Sequence, residues 1–181
     1  MRFRAIYLAS LAVTAAFIAS VSTAHSRQES AENVWLSSHN AERAQFGTTP
    51  LEWDPGLAAE ARNWARKLAR EGTIRHAPQE VRNGQGENLW MGTSGYFRPH
   101  DMIASFASEK QHFRPGVFPE VSTTGNWADV GHYTQIVWRD TRKVGCALEQ
   151  GRRFDVLVCR YWPAGNVIGT PIVPKPRIAK R

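Results

Sequence analysis

The sequence predicts an α+β fold, with helices early in the chain and an antiparallel sheet near its end. Three observations carry this. Leu57, Ala61, Trp64, Ala65 and Leu68 recur at helical spacing, with Glu60, Arg62, Arg66 and Lys67 off the stripe. "KVGCALEQ" and "RFDVLVCRYW" read as two strands around the polar turn Gln150-Gly151-Arg152-Arg153. Strands and helices do not alternate along the chain, so a parallel doubly wound sheet is not indicated.

The elements follow in order. Met1-Arg2-Phe3-Arg4 places two positive charges before an apolar run from Ala5 to Val21, and small residues follow at Ser22 and Ala24. That is the pattern of a secretory signal peptide over residues 1–24. Cleavage after Ala24 would leave His25 to Arg181, a length suited to one domain with its own core. Ala31 to Phe46 reads as a helix ended by Gly47 and the turn Thr48-Thr49-Pro50. In the next helix Asp54 can cap, Pro55 suits the first position and Gly72 stops the element. Thr73 to Gly95 is rich in Gly, Asn and Pro and reads as ordered loop. A third helix is expected from Pro99 to about Phe113, with Asp101 near its cap. Arg114 to Val130 reads as a long loop, and loops of that length in a compact domain are often functional. Three strands are expected to finish the domain, over Gln135 to Arg139, Lys143 to Glu149 and Phe154 to Trp162.

The last two strands make a specific prediction. If their turn centres between Arg152 and Arg153, Cys146 faces Cys159 and Leu148 faces Leu157, and opposed positions lie within disulfide reach. These are the two cysteines of the chain. In an exported protein they read as one structural disulfide, Cys146–Cys159, since a redox-active pair more often takes the Cys-x-x-Cys form.

The net charge of +7 does not by itself name a partner. Part of it sits in the tail "PKPRIAKR"; elsewhere Lys and Arg alternate with Asp and Glu, without a stripe of basic and aromatic residues. Nucleic acid is therefore not expected as a partner.

Four polar side chains stand out. Glu109 shares the expected helical stripe of Met102, Phe106 and Phe113, where a carboxylate either sits at the margin and bends to water or needs a donor or cation. Glu87, in "GQGENLW", reads alone as a loop carboxylate accepting backbone hydrogen bonds. His76, in "IRHAPQ", reads alone as an exposed or capping histidine, and His132, in "GHYTQIVW", as a histidine at the core's edge. Brought together, they would form two imidazoles and two carboxylates. Neutral imidazoles can hold a divalent zinc, with carboxylates orienting them or taking a proton from bound water. Their spacing matches no compact metal motif such as His-Glu-x-x-His. His39, His100 and His112 read as structural or surface residues.

"HNAERAQFGTTPLEWDPGLAAEARNWA", "GENLW", "GHYTQIVWRDTRKVGCA" and "FDVLVCRYWPAGN" resemble, in order, the CAP superfamily or SCP domain. That group includes cysteine-rich secretory proteins, insect venom allergens and plant pathogenesis-related proteins. The resemblance spans about Ala31 to Asn166 and implies an α-β-α sandwich, its antiparallel sheet lying between helical layers. It also implies a broad cleft where His76 (before "APQ"), Glu87 (in "GEN"), Glu109 (in "FASEK") and His132 (in "GHYTQ") converge. By the same resemblance the two histidines can hold zinc or another divalent metal. Relatives have been linked to sterol or fatty-acid binding, to host or microbe interaction and occasionally to proteolysis. Phe106 stands where relatives often carry tryptophan, and no cysteine-rich extension follows the domain. The lean cysteine content and short form resemble bacterial members.

The organisation expected is thus a signal peptide (1–24), a CAP/SCP domain (25–168) and a basic flexible tail (169–181). The first functional reading is a secreted or periplasmic monomer that binds an apolar small molecule or a surface partner in a metal-capable cleft. Tyr96, Phe97, Phe113 and Phe118 are candidates to line it. The membrane is engaged only by the signal peptide, during export. The alternative is a zinc-dependent hydrolase or peptidase, with His76 and His132 on the metal and Glu87 or Glu109 as general base. Two histidines fall short of the three protein ligands usual for hydrolytic zinc, so catalysis ranks second.

Overall fold

Ser30 and Asp54 open the first two helices as the sequence requires. Ser30 Oγ accepts from Asn33 N at 3.3 Å at the start of α1 (Ala31–Ala44). Asp54 Oδ1 accepts from Gly56 N at 2.9 Å and Leu57 N at 3.0 Å at the start of α2 (Pro55–Glu71). Gly72 ends α2 with φ at 64°, a left-handed cap that glycine adopts without a steric penalty. The computed structural model describes residues 29–174. The expected signal segment, the terminus expected at His25 and the end of the expected basic tail lie outside the described residues.

The sheet has four strands in the order β1-β3-β4-β2. These are β1 (Glu52–Trp53), β2 (Gly86–Thr93), β3 (Lys143–Gln150) and β4 (Phe154–Trp162). β2, β4 and β3 are antiparallel neighbours, and the short β1 joins β3 in parallel. Cys146 faces Cys159 and Leu148 faces Leu157, the register expected from the turn, and the Cys146–Cys159 disulfide is formed.

Alternation along the strands divides the core into two layers. Leu89, Ala147, Val156 and Val158 face α2 and pack on Ala61, Trp64, Ala65 and Leu68. Trp90, Cys146, Leu157, Cys159 and Tyr161 face the other way, toward Trp35, Met102, Ile103, Phe106, Tyr133 and Ile136. Those residues belong to α1, α4 (Pro99–Ala107) and α5 (Gly131–Val137), the short α3 (Gln79–Arg82) lying between α2 and β2. The result is a sheet between helical layers, the α-β-α sandwich.

Four local expectations are corrected. Gly86 to Thr93, expected within a loop, forms strand β2, which pairs with β4 along its whole length. Its Gly and Asn residues are poor strand formers, and pairing with β4 overrides them. The segment Gln135 to Arg139, expected as a strand, instead falls on α5 and the turn after it. Tyr133, Thr134, Gln135, Ile136 and Val137 are all buried, so this helix shows no apolar face by which to be recognised. The helix from Pro99 keeps its α form only to Ala107 and tightens to a 3₁₀ turn over Ser108–His112. Finally, residues 169–174 are packed: Ile172 is fully buried, donates to Gly116 O at 3.1 Å and accepts from Arg139 N at 2.7 Å. A free tail from residue 169 is therefore excluded for these positions.

Candidate functional site

The strand β2 is an edge strand, and its first residues lie where both helical layers reach the end of the sheet. Glu87 points to the α2 side, like Leu89 two residues on. The chain leaving α2 brings His76 against it. His76 Nδ1 lies 2.8 Å from Glu87 Oε1, and Ala77 N donates to the same oxygen at 2.9 Å. Arg160 stands opposite Glu87 in the β2–β4 register, and its Nη2 is 3.0 Å from Glu87 Oε2. This contact is an ion pair without hydrogen-bond alignment: Glu87 Oε2 and Arg160 Nε are both buried and unbonded among the described residues. Burial lowers the pKa of the Arg160 guanidinium, and the neighbouring Glu87 charge opposes that shift.

The second pair is built from the other layer. The 3₁₀ turn after α4 aims Glu109 at the start of α5. Glu109 Oε2 accepts from His132 N at 2.9 Å and Tyr133 N at 3.0 Å, while Oε1 sits 2.5 Å from His132 Nδ1. A carboxylate thus satisfies amides that the first helical turn leaves without partners. Of the two situations open for Glu109, the structure shows the partnered one. Phe106 stacks on the His132 ring at 4.8 Å between centroids, fixing its plane.

Asn88, next to Glu87, points to the opposite face and ties the two halves together. Its Nδ2 donates to the His132 carbonyl at 3.1 Å and to Tyr161 Oη at 3.1 Å. Tyr161 Oη in turn lies 2.7 Å from His39 Nε2, and His39 Nδ1 lies 2.7 Å from the Trp35 carbonyl. A single assignment satisfies every group. His39 is neutral, donates from Nδ1 to Trp35 and accepts at Nε2 from the tyrosine hydroxyl. Burial pushes the His39 pKa down to about 4, with the Trp35 hydrogen bond opposing and the Arg43 charge reinforcing the shift.

His76, Glu87 and His132 line one open cleft of about 590 Å³, together with Gln85, Asn88 and Gln135. Glu109 lies behind His132 and is not part of the wall. Each imidazole turns Nδ1 to a carboxylate, and neither Nε2 has a hydrogen-bond partner among the described residues. That is the arrangement in which a metal-binding histidine is oriented through its other nitrogen. Along one lip stand Phe118, Trp127 and Ile168, the last two 46% and 79% exposed. Of the aromatics expected to line the cleft, Phe118 does so. Phe113 packs between Phe46 and Tyr133, and Tyr96 and Phe97 stand beyond the far end of β2. His39 comes close to Cys146 and Cys159, but both sulfurs are spent in the disulfide and both His39 nitrogens are bonded, so no metal is held there.

Sequence reasoning missed Asn88, Arg160, Tyr161 and the role of His39. The signal available was strand alternation: once "GENLW" is a strand, Glu87 and Asn88 must face opposite layers. Trp127 and Ile168 carried no signal beyond their apolar character within loops.

A sheet between helical layers, with two carboxylate-oriented histidines at its edge, defines the class of protein. The chain belongs to the CAP, or cysteine-rich secretory protein, family, whose model matches residues 36–161. It is 36% identical to pathogenesis-related protein 1C of Nicotiana tabacum over 143 residues, covering 78% of this chain and 80% of that protein. Pathogenesis-related protein 1 of Arabidopsis thaliana is 31% identical over 157 residues, covering 86% and 90%. The crystal structure of NaASP2 with Zn2+ superposes with a TM-score of 0.66 at 25% identity, covering 78% of this chain and 84% of that one. Venom allergen-like protein 4 of Schistosoma mansoni shares the fold, with a TM-score of 0.62 at 19% identity over 82% and 97% of the two chains. The expected affinity to bacterial members is not borne out, since these relatives are plant and animal proteins.

Proposed function

We propose that this CAP-domain protein is exported and uses the cleft to hold a divalent cation, zinc among them, beside an apolar ligand. The observation that carries this reading is the orientation of two imidazoles in one cleft. His76 and His132 each give Nδ1 to a carboxylate, which leaves the Nε2 lone pairs for a cation. The donor set fits two positions of a four-coordinate ion, with water or ligand atoms for the rest. Phe118, Trp127 and Ile168 supply an apolar lip for the organic part of a ligand, a sterol or fatty-acid-like molecule or a surface partner. The disulfide supports export, because such bonds persist in oxidising compartments.

This binding reading stands ahead of a zinc-dependent hydrolase. Glu87 is engaged by His76, Ala77 N and Arg160, and Glu109 by His132 and two amides at the head of α5. Both carboxylates are committed to holding the imidazoles in place, so neither is free to serve as third ligand or general base. The test is calorimetric titration of zinc into the wild type, His76→Ala and His132→Ala. Loss of binding in both variants supports the reading, and equal uptake by all three overturns it.

A further inference from the structure

The two edges of the sheet are built differently. At one edge β1 is only two residues long, with Pro50 and Pro55 close on either side of it. Short strands and prolines keep an edge from pairing with another chain. The other edge, β2, has neither device. Its sequence "GENLWMGT" holds no proline, lysine or arginine, and its register with β4 runs without a bulge from Gly86 to Thr93. Its one charge, Glu87, is turned inward to His76 and Arg160.

The hydrogen bonds around β4 fix which backbone groups of β2 face outward. Ser94 N donates to Arg153 O at 3.0 Å, in line with the β2–β4 register. At two-residue intervals from there, Gly92, Trp90, Asn88 and Gly86 exchange bonds with β4. Gly151 N donates to Phe154 O at 3.0 Å in the β3–β4 register, which gives β3 the alternate residues of β4 and agrees with this assignment. Glu87, Leu89, Met91 and Thr93 therefore turn N–H and C=O away from the sheet. Thr93 O accepts from Tyr96 N at 3.2 Å, as that facing requires. The backbone groups of Leu89 and Met91 have no hydrogen-bond partner among the described residues.

The surroundings leave this stretch open. Helix α2 lies over β3 and β4. Helix α5 covers the Gly86–Asn88 end, where Asn88 donates to the His132 carbonyl and Gly86 abuts Gln135. Met91 and Gly92 are half-buried, and Thr93 is exposed. On the face away from α2, Phe97 meets Trp90 edge-on at 5.0 Å and crowds Gly92. Tyr96 meets Phe97 at 5.0 Å while 76% exposed. From Asn88 to Phe97 no residue is charged.

Unpaired backbone groups at two-residue spacing match another extended strand. We infer that this strand is β2 of a second copy of the chain, added antiparallel about a two-fold axis between the Trp90 residues. Leu89 N–H then donates to Met91 O of the second copy and Met91 N–H to its Leu89 O, and the same bonds recur in reverse. This register uses every open group of Leu89 and Met91 and leaves Thr93 O to Tyr96 N. It also brings the Trp90, Phe97 and Tyr96 rings of both copies together on one face. A strand of another protein would take the same bonds, but only a second copy brings the matching rings. Copies of a chain with net charge +7 repel one another, and an uncharged edge is where they meet with least repulsion.

Sedimentation equilibrium of the disulfide-bonded protein, from low micromolar to millimolar concentration, reads the association, and hydrogen exchange on the same samples locates it. The mass should rise toward the dimer while exchange of the Leu89 and Met91 amides slows by at least about tenfold. The Trp90 and Gly92 amides, bonded to β4, should be protected throughout. Met91→Pro removes an outward N–H, a change that an edge strand tolerates, and should weaken the dimer by at least about tenfold. Met91→Leu keeps the N–H and should dimerise as the wild type does. Exchange in the wild type decides the matter even if Met91→Pro fails to fold. A monomer at every concentration overturns the inference, and so does a dimer that Met91→Pro leaves intact. Exchange at Leu89 and Met91 that is independent of concentration overturns it as well, whether fast, from a free edge, or slow, from an edge covered by the protein's own chain.

Discussion

Glu87 and Asn88 are consecutive in β2 and hold opposite halves of the cleft. Glu87 Oε1 lies 2.8 Å from His76 Nδ1 on the α2 side of the sheet, and Asn88 Nδ2 donates to the His132 carbonyl at 3.1 Å on the other. The two-residue period of a strand thus sets the separation of two histidines that are distant in sequence.

Removing Asn88 should loosen one half only. Asn88→Ala leaves the His132 carbonyl without this donor and Tyr161 Oη without an incoming hydrogen bond, at a cost of about 1–3 kcal/mol. Urea denaturation should register that loss. In NMR spectra the His132 imidazole resonances should move while those of His76 stay in place. Equal shifts at both histidines would contradict the division of roles.

The Glu87–Arg160 pair should behave as a unit. Glu87→Gln leaves a buried guanidinium without its counter-charge, and breaking such a pair from one side costs about 3–5 kcal/mol. Replacing both, as Glu87→Gln with Arg160→Met, should recover most of that stability. A double-mutant cycle read by chemical denaturation checks it; strictly additive losses would show that the two charges do not interact.

His39 should make stability pH-dependent. Its pKa in the folded protein is lowered to about 4, below the ordinary 6.5, so the unfolded chain binds the extra proton between these values. Stability from the neutral, buried ring is fully present above about pH 6.5 and is lost as pH falls toward 4, by about 3 kcal/mol in all. His39→Gln removes the titrating group. The difference in urea midpoint between wild type and variant should shrink steadily across that range, and a constant difference would rule out His39 as its source.

Much of this was legible in the residues, for reasons that also explain the rest. The register placing Cys146 opposite Cys159 followed from where the polar turn centres, because antiparallel pairing leaves no freedom once the turn is known. Helix α2 was legible because one face is apolar and both ends carry their capping residues. Helix α5 was not: it is buried at five consecutive positions, Tyr133 to Val137, and "QIVW" has the β-branched and aromatic character of a strand. Its start is set by Glu109, a residue distant in sequence, through hydrogen bonds that no local pattern contains. The four cleft residues came from the family resemblance. Their local sequence showed only that Glu109 was out of place on an apolar stripe, and the links through Asn88, Tyr161 and His39 needed the strand facing to be known first.

The central claim is that His76 and His132 present Nε2 to one cation. Long-range proton–nitrogen NMR during a zinc titration tests it most directly, because it distinguishes the two nitrogens of each ring. The Nε2 signals of His76 and His132 should shift together and saturate at one equivalent, while both Nδ1 signals keep their protonated character and His39 is silent. Zinc-induced shifts confined to His100 or His112, or a change at Nδ1 in place of Nε2, would contradict it.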